Sequence, residues 1–459
     1  TEAPAYAGGK PGAVKDIVIE NELATITLTT FGARLKSYQL KHYKDREGGM
    51  LDMLPEVDYR DMPLQLDLRQ DKGNLETADG RGLDDSLLNS RVNGAVYEVD
   101  AHRLVLSDSR PTGKLNMSYH DASGVKVTKK FTFYHNRYGF DFDVKVEGLA
   151  RYPQGMPYRL MWGSAINEDK KRKGRRIEIP VITFDGRERK KWKVRKLKDE
   201  LVETGTVLWI AKGTKYFVVA ILPGDNPSSA VVGRARGDKP TIGMRLFART
   251  GKDFSPATLY VGPKESKRLE SYGSSLEKSI DFGWTLFGEK ITRGLAKPLL
   301  AVLLWFYSFT NNYGLAIIFL TIVIKIAFYP LTNKSFVAMQ RMQEIQPKVK
   351  AIQERYKNDR QRLNQEMMQL YRTHKANPMG GCLPMLAQLP IFYALYVVLM
   401  YSIELRQAPF IWWIKDLSDY DPYFVTPILM GFTMFIQQKM SPTMGDPRFE
   451  RTVIYMCAH

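Results

Sequence analysis

Lys325 lies in the run Thr321-Ile322-Val323-Ile324-Lys325-Ile326-Ala327-Phe328-Tyr329-Pro330, inside an apolar stretch long enough to cross a bilayer. A charge near mid-membrane costs at least ~2.5–3.5 kcal/mol, so a lysine kept there must face water or protein. A long stem can also snorkel to headgroups, and the polar end of this run is close enough for that. Thr321 stands one helical turn earlier on the same face. Gln388 in a second apolar segment, and Gln437 and Gln438 in a third, also need partners or water inside a bilayer. These polar sites on three segments point to a partly hydrated groove. Its chemistry is the solvation of charge, not the making of bonds.

The sequence offers little support for other chemistries. Cys382 and Cys457 are too few for a disulfide framework or a multi-cysteine metal site. The histidines at 42, 102, 120, 135, 374 and 459 show no ligand spacing. No phosphate-cradling glycine motif with a following Lys-Ser/Thr appears. The expectation is therefore no catalytic residue, no metal and no cofactor.

The elements that must position Lys325 change character near residue 295. Before it, alternating stretches such as 17–29, 125–134 and 216–222, broken by Gly/Asp/Asn turns, predict a large all-β sandwich over 13–290. Residues 1–12 read as a linker, with something upstream removed. After 295 the pattern is helical: an interfacial amphipathic helix over 291–310, then membrane spans over 311–331, 383–403 and 423–438. The apolar ending Val453 to Met456 reads as the opening of a further span within 439–459. Pro384, Pro390 and Pro427 are expected to kink the second and third spans.

Between the first two spans, 332–378 carries ten Lys/Arg against four acids, whereas 404–422 carries only Arg406 and Lys415. The positive-inside rule puts 332–378 in the cytoplasm and 404–422, with the β domain, on the other side. Within the cytoplasmic stretch, Met342, Ile345, Val349, Ile352 and Tyr356 follow a 3-4 seam that Leu363, Met367 and Leu370 resume. That spacing predicts a helical hairpin turning at 357–360. Met339, Met342, Met367 and Met368 add flexible thioethers suited to varied apolar partners. The net charge of +18 does not imply nucleic acid. Its densest runs, Lys170 to Arg176 and Arg187 to Lys198, lack regularly spaced stacking aromatics. They read as solvated faces or as patches for anionic headgroups.

Several motifs then occur in order: Ile280-Asp281-Phe282-Gly283-Trp284, Tyr329-Pro330-Leu331-Thr332, Asn377 to Pro384, Gln388 to Phe392, Glu404 to Phe410 and Gln437 to Pro442. Over about 280–452 the chain resembles the YidC membrane insertases. The β domain resembles theirs more loosely, through Lys215-Tyr216-Phe217 and Leu259 to Pro263. The resemblance implies a periplasmic β-super-sandwich followed by a transmembrane bundle in a bacterial inner membrane. It implies insertion and folding of nascent membrane proteins, alone or beside the Sec translocon. The ribosome, the signal-recognition-particle receptor and membrane lipids are further implied partners. A positive groove residue of that family falls on Lys325, where arginine is usual. Such a groove would use Lys325, Thr321, Gln388, Gln437 and Gln438, a slide over Leu389, Pro390 and Phe392, and capture by the hairpin methionines. The alternative from another class is a small transporter or channel with a periplasmic sensor or sugar-binding domain. It would need polar residues in both halves of each span.

Overall fold

The computed structural model describes residues 13–440 apart from 46, 55–60, 70–74, 77–81, 150–155, 164–165, 167–179, 193–200, 204, 226–228, 235–239, 249–255, 282–286 and 375–382. The expected linker 1–12, Lys170 to Arg176, Cys382, Cys457 and the ending 453–459 lie outside the described residues. The chain divides into two compact units, Thr1–Asp281 and Phe282–His459.

Among the described residues the first unit holds one nine-stranded, two five-stranded and one two-stranded sheet. Strands Trp209–Gly213 and Gly139–Glu147 of the large sheet meet Pro240–Ala248 of a smaller one, which makes the layered β fold. Period-2 alternation builds the core. Lys126–Tyr134 buries Val127, Phe131 and Phe133, and its neighbour Gly139–Glu147 buries Phe140, Phe142, Val144 and Val146. Phe131 stands opposite Phe142 in the ladder, with ring centroids 5.3 Å apart. Each such ring contributes roughly 1.5–3 kcal/mol by leaving water. Trp209–Gly213 and Phe217–Leu222 are buried at every position, as strands covered on both faces must be. A short helix, α1 (Asp85–Gly94), interrupts the strands, and another, α2 (Ser266–Glu270), follows the last of them.

Three lysines lie inside this unit, and the alternating pattern alone marks only one of them. Lys129 shares a face with Val127 and Phe131 and is fully buried. Its Nζ donates to the carbonyl oxygens of Gly32 at 2.7 Å, Leu64 at 2.9 Å and Ala33 at 3.3 Å. Those bonds pin a tight turn in which Gly32 has φ +66° and Ala33 φ +46°. A Cβ at Gly32 would come within 2.6 Å of the Asn93 carbonyl, so the turn needs glycine there. Lys212 donates to the Gly163 carbonyl and Lys264 to that of Thr214, the latter at 2.6 Å. Carbonyl acceptors replace the water that a buried ammonium loses. Burial nevertheless pushes Lys264 down to about 8, with nearby Asp281 acting in the other direction.

Asp281 ends the unit as the anion of a cluster. Lys191 Nζ lies 2.6 Å and Arg189 Nη2 3.2 Å from its carboxylate. Burial raises its pKa, but the Lys191 hydrogen bond and the charges of Lys191, Arg189 and Lys264 outweigh that and hold it below the ordinary range.

The second unit opens with α3 (Glu289–Thr310) and α4 (Tyr313–Glu344). It continues through α5 (Gln346–Arg355), α6 (Arg360–Thr373), α7 (Leu383–Tyr401) and α8 (Val425–Met440). α3 packs on both α4 and α7, around Ala296, Leu303, Ala316, Leu320, Leu395 and Val398. By length and composition α4 can cross a membrane. The sequence reading separates a span at 311–331 from a hairpin at 332–378, whereas α4 runs unbroken past Pro330 and out to Glu344. At 1.5 Å per residue its 32 residues measure about 48 Å, more than the ~30 Å of a hydrocarbon core. Pro347 then falls in the first turn of α5, where its missing N–H costs nothing. Asp359 caps α6 by accepting from Arg362 N at 3.0 Å.

The β unit gives two expected outcomes. Asp281→Asn removes the carboxylate that Arg189 and Lys191 share and should lower the unfolding free energy of this unit by about 3 kcal/mol. An unchanged denaturant midpoint would refute the cluster's contribution. Lys264 has a folded pKa of about 8 against 10.5 unfolded, so across that window the unfolded state holds the extra proton and stability rises with pH. Lys264→Met should flatten that rise between pH 8 and about pH 9.5 in urea melts. Above pH 10, Tyr38, Tyr97 and Tyr260, whose pKa values burial raises, act in the opposite sense. Equal slopes in variant and parent would overturn the assignment to Lys264.

Candidate functional site

α4 carries the cation. Thr321 and Lys325 are one turn apart, and the Thr321 hydroxyl donates back to the Ile318 carbonyl at 2.7 Å, so its O–H is spent within the helix. Lys325 is exposed, and its Nζ stands 6.0 Å from the ring centroid of Phe392 on α7. A cation over a ring face is drawn to the ring quadrupole at about this range. Among the described residues no hydrogen bond or ion pair to Lys325 is present. A cavity of about 540 Å³ opens beside it, lined by Thr321, Ile322, Lys325, Ile326 and Tyr329, all on α4.

The structure therefore brings Thr321, Lys325 and Phe392 together. Gln388 is half-buried one turn before Phe392 on α7, which puts it on the same helix face. Leu389, exposed, and Pro390, half-buried, follow it along α7. Gln437 and Gln438 are on α8, and no hydrogen bond joins them to Lys325 among the described residues. Met339 and Met342 belong to the last turns of α4 rather than to the hairpin, because α4 continues to Glu344. Met367 and Met368 lie on α6, and of the four methionines only Met368 is exposed. Tyr329 is a site residue that the sequence reading passed over. Its spacing of four from Lys325 was the available signal.

Local packing fixes where α4 begins. Asn312 caps it, accepting from Leu315 N at 3.2 Å, and donates through Nδ2 to the Phe410 carbonyl at 2.9 Å. A Cβ at Gly314 would come within 2.0 Å of the Phe410 ring, so glycine allows that ring to rest on the α4 backbone. Most of α8 stands clear: Ile428, Met430, Phe432 and Phe435 are all 60% or more exposed. No cluster of side chains able to hold a metal ion occurs among the described residues.

A family model described as the 60Kd inner membrane protein matches residues 305–459, and one described as the YidC periplasmic domain matches 16–302. The membrane protein insertase YidC of Geotalea daltonii is 39% identical over 455 residues, covering 97% of this chain and 81% of its own. That of Syntrophus aciditrophicus is 34% identical over 449 residues, covering 96% and 78%. A solved structure of an active YidC insertase with its first transmembrane domain resolved aligns with 97% of this chain and 86% of its own. Its identity is 16% and its TM-score 0.36. With both family models matching in order and relatives above 30% identity along nearly its whole length, the chain belongs to the YidC family of membrane protein insertases.

Proposed function

We propose that the chain passes transmembrane segments of nascent proteins into the bacterial inner membrane along the α4–α7 face, with Lys325 as the transient counter-charge for their polar, often acidic, ends. The observation that carries this reading is Lys325 itself. It is an exposed cation on an apolar helix, beside a cavity and one aromatic ring, with no fixed anion among the described residues. Such a cation lowers the cost of bringing a carboxylate into low dielectric and releases it again, because nothing holds the pair permanently. Thr321 and Gln388 line the path, with Gln437 and Gln438 on α8 as its further polar wall. The segment moves past Leu389, Pro390 and Phe392 into lipid, driven by hydrophobic partitioning.

Met339, Met342, Met367 and Met368 meet the incoming apolar segment first, since thioethers adapt to many shapes. The chain spans the membrane several times through α4, α7 and α8, with 332–378 cytoplasmic and the β unit periplasmic. It works alone or beside the Sec translocon and receives substrate from the ribosome. These placements rest on loop charges and family membership.

Lys325→Arg should keep insertion of acidic-tailed substrates near wild type. Lys325→Glu should reduce it about tenfold or more, the scale set by a charge left uncompensated in the bilayer. A protease-protection assay in proteoliposomes reads both, and equal insertion by wild type and Lys325→Glu would sink the counter-charge. A photocrosslinker at Phe392 should form an adduct with a ribosome-stalled single-span chain, and the adduct should weaken when that span is made polar. A correctly folded, membrane-embedded chain giving no adduct would remove Phe392 from the path.

A further inference from the structure

A second cavity, of about 560 Å³, lies at the other end of α4 from the hairpin, between its first turns, the loop after α7 and the start of α8. Its inner wall is apolar: Ile317 and Ile318 of α4, with Phe410 and Trp413 of the loop. Its polar lining is charged and mostly acidic, with Asp416, Asp419 and Asp421 against the single Lys415. The lining is held in place by its own bonds. Asp416 accepts from Gln407 N and Ser418 N, and Asp421 accepts from Trp413 Nε1 at 3.0 Å and Thr426 N at 2.8 Å. The Asn312–Phe410 bond ties the loop to α4. Below the cavity run exposed apolar side chains on both flanking helices, Leu315 and Phe319 on α4 and Ile428 and Leu429 on α8.

We propose that this cavity seats the headgroup of one zwitterionic aminophospholipid, its ammonium among the three carboxylates and the Trp413 ring, its phosphate at Lys415. The inference rests on the reading that α4 and α8 span the bilayer, which puts the cavity at headgroup depth and the apolar flanks at acyl depth. Charge decides among occupants. Three carboxylates repel an anionic headgroup, whereas a primary ammonium donates three hydrogen bonds and is attracted by an indole face. A quaternary ammonium keeps the charge but has no proton to donate, so the seat should separate ethanolamine from choline headgroups.

The test is native mass spectrometry of the full chain released from detergent containing equimolar dioleoyl phosphatidylethanolamine, phosphatidylcholine and phosphatidylglycerol. The wild type should retain one phosphatidylethanolamine with about tenfold preference over either competitor. Asp419→Asn should abolish the preference. Ile318→Trp, which fills the apolar wall and leaves every charge in place, should abolish retention. Equal retention of the three lipids, preference for phosphatidylglycerol, no lipid retained, or full preference in both variants would each overturn the proposal. Protease-protected insertion by the same wild-type preparation separates the two readings. A chain that inserts substrate yet shows no ethanolamine preference refutes the lipid seat and leaves the insertase reading intact.

Discussion

A buried ammonium ion must find something to replace water, and this chain answers that demand in two different ways. In the β unit Lys129 is given three carbonyl oxygens, Lys212 and Lys264 one each, and Asp281 takes the charge of Arg189 and Lys191. Those partners are fixed by strand register and turn geometry, so the lysines are structural and do nothing more. Lys325 in the helical unit is exposed instead, with the Phe392 ring 6.0 Å from its Nζ, an open cavity beside it and no fixed acceptor among the described residues. The lysines of the β unit are thus held by fixed acceptors, whereas Lys325 has none among the described residues.

Keeping that cation unsatisfied requires a scaffold that does not collapse onto it. The packing of α3 provides this, because its small and branched residues Ala296 and Leu303 pack with the Ala316, Leu320 and Ile324 side of α4 and with α7 as well. The buried positions of α4, Ala316, Leu320 and Ile324, follow a 4-4 spacing that rotates the core stripe away from Ile322, Ile326 and Tyr329. One face of α4 is thus committed to the bundle, and the adjoining face is left exposed. The cap at Asn312 and the Phe410 ring on Gly314 fix where the helix starts, and so fix the depth of every residue along it.

Much of this was legible in the sequence because hydrophobic periodicity and intramembrane charge are local signals. Lys325 and Thr321 stand out from their neighbours' composition alone, and the alternation in 125–134 announces its strand. Proximity between elements was not legible, since no pattern in α4 or α7 says that Lys325 meets Phe392 rather than Gln438. The boundary at 331/332 was drawn where polarity changes, yet a helix does not stop when its surroundings turn from lipid to water. With Pro330 accommodated inside it, the backbone ladder continues to Glu344. Lys129 was visible as a lysine on an apolar face, but its carbonyl partners come from turns about a hundred residues away and leave no local mark.

The unbroken length of α4 has a mechanical consequence. Thr332 and Met339 are seven and fourteen residues beyond Lys325, so they fall near the same face of one helix, roughly 10 Å and 21 Å further along it. Thr332 spends its hydroxyl on the Phe328 carbonyl at 2.9 Å. Lys325, Thr332 and Met339 therefore share one face of a single continuous helix rather than two helices joined by a turn. A flexible joint between the span and the hairpin at residue 332 would instead cost of the order of 1–2 kcal/mol for each residue that had to be ordered. Because α4 is already helical through that junction, the spacing between Met339 and Lys325 is set by the backbone ladder itself and needs no turn to define it.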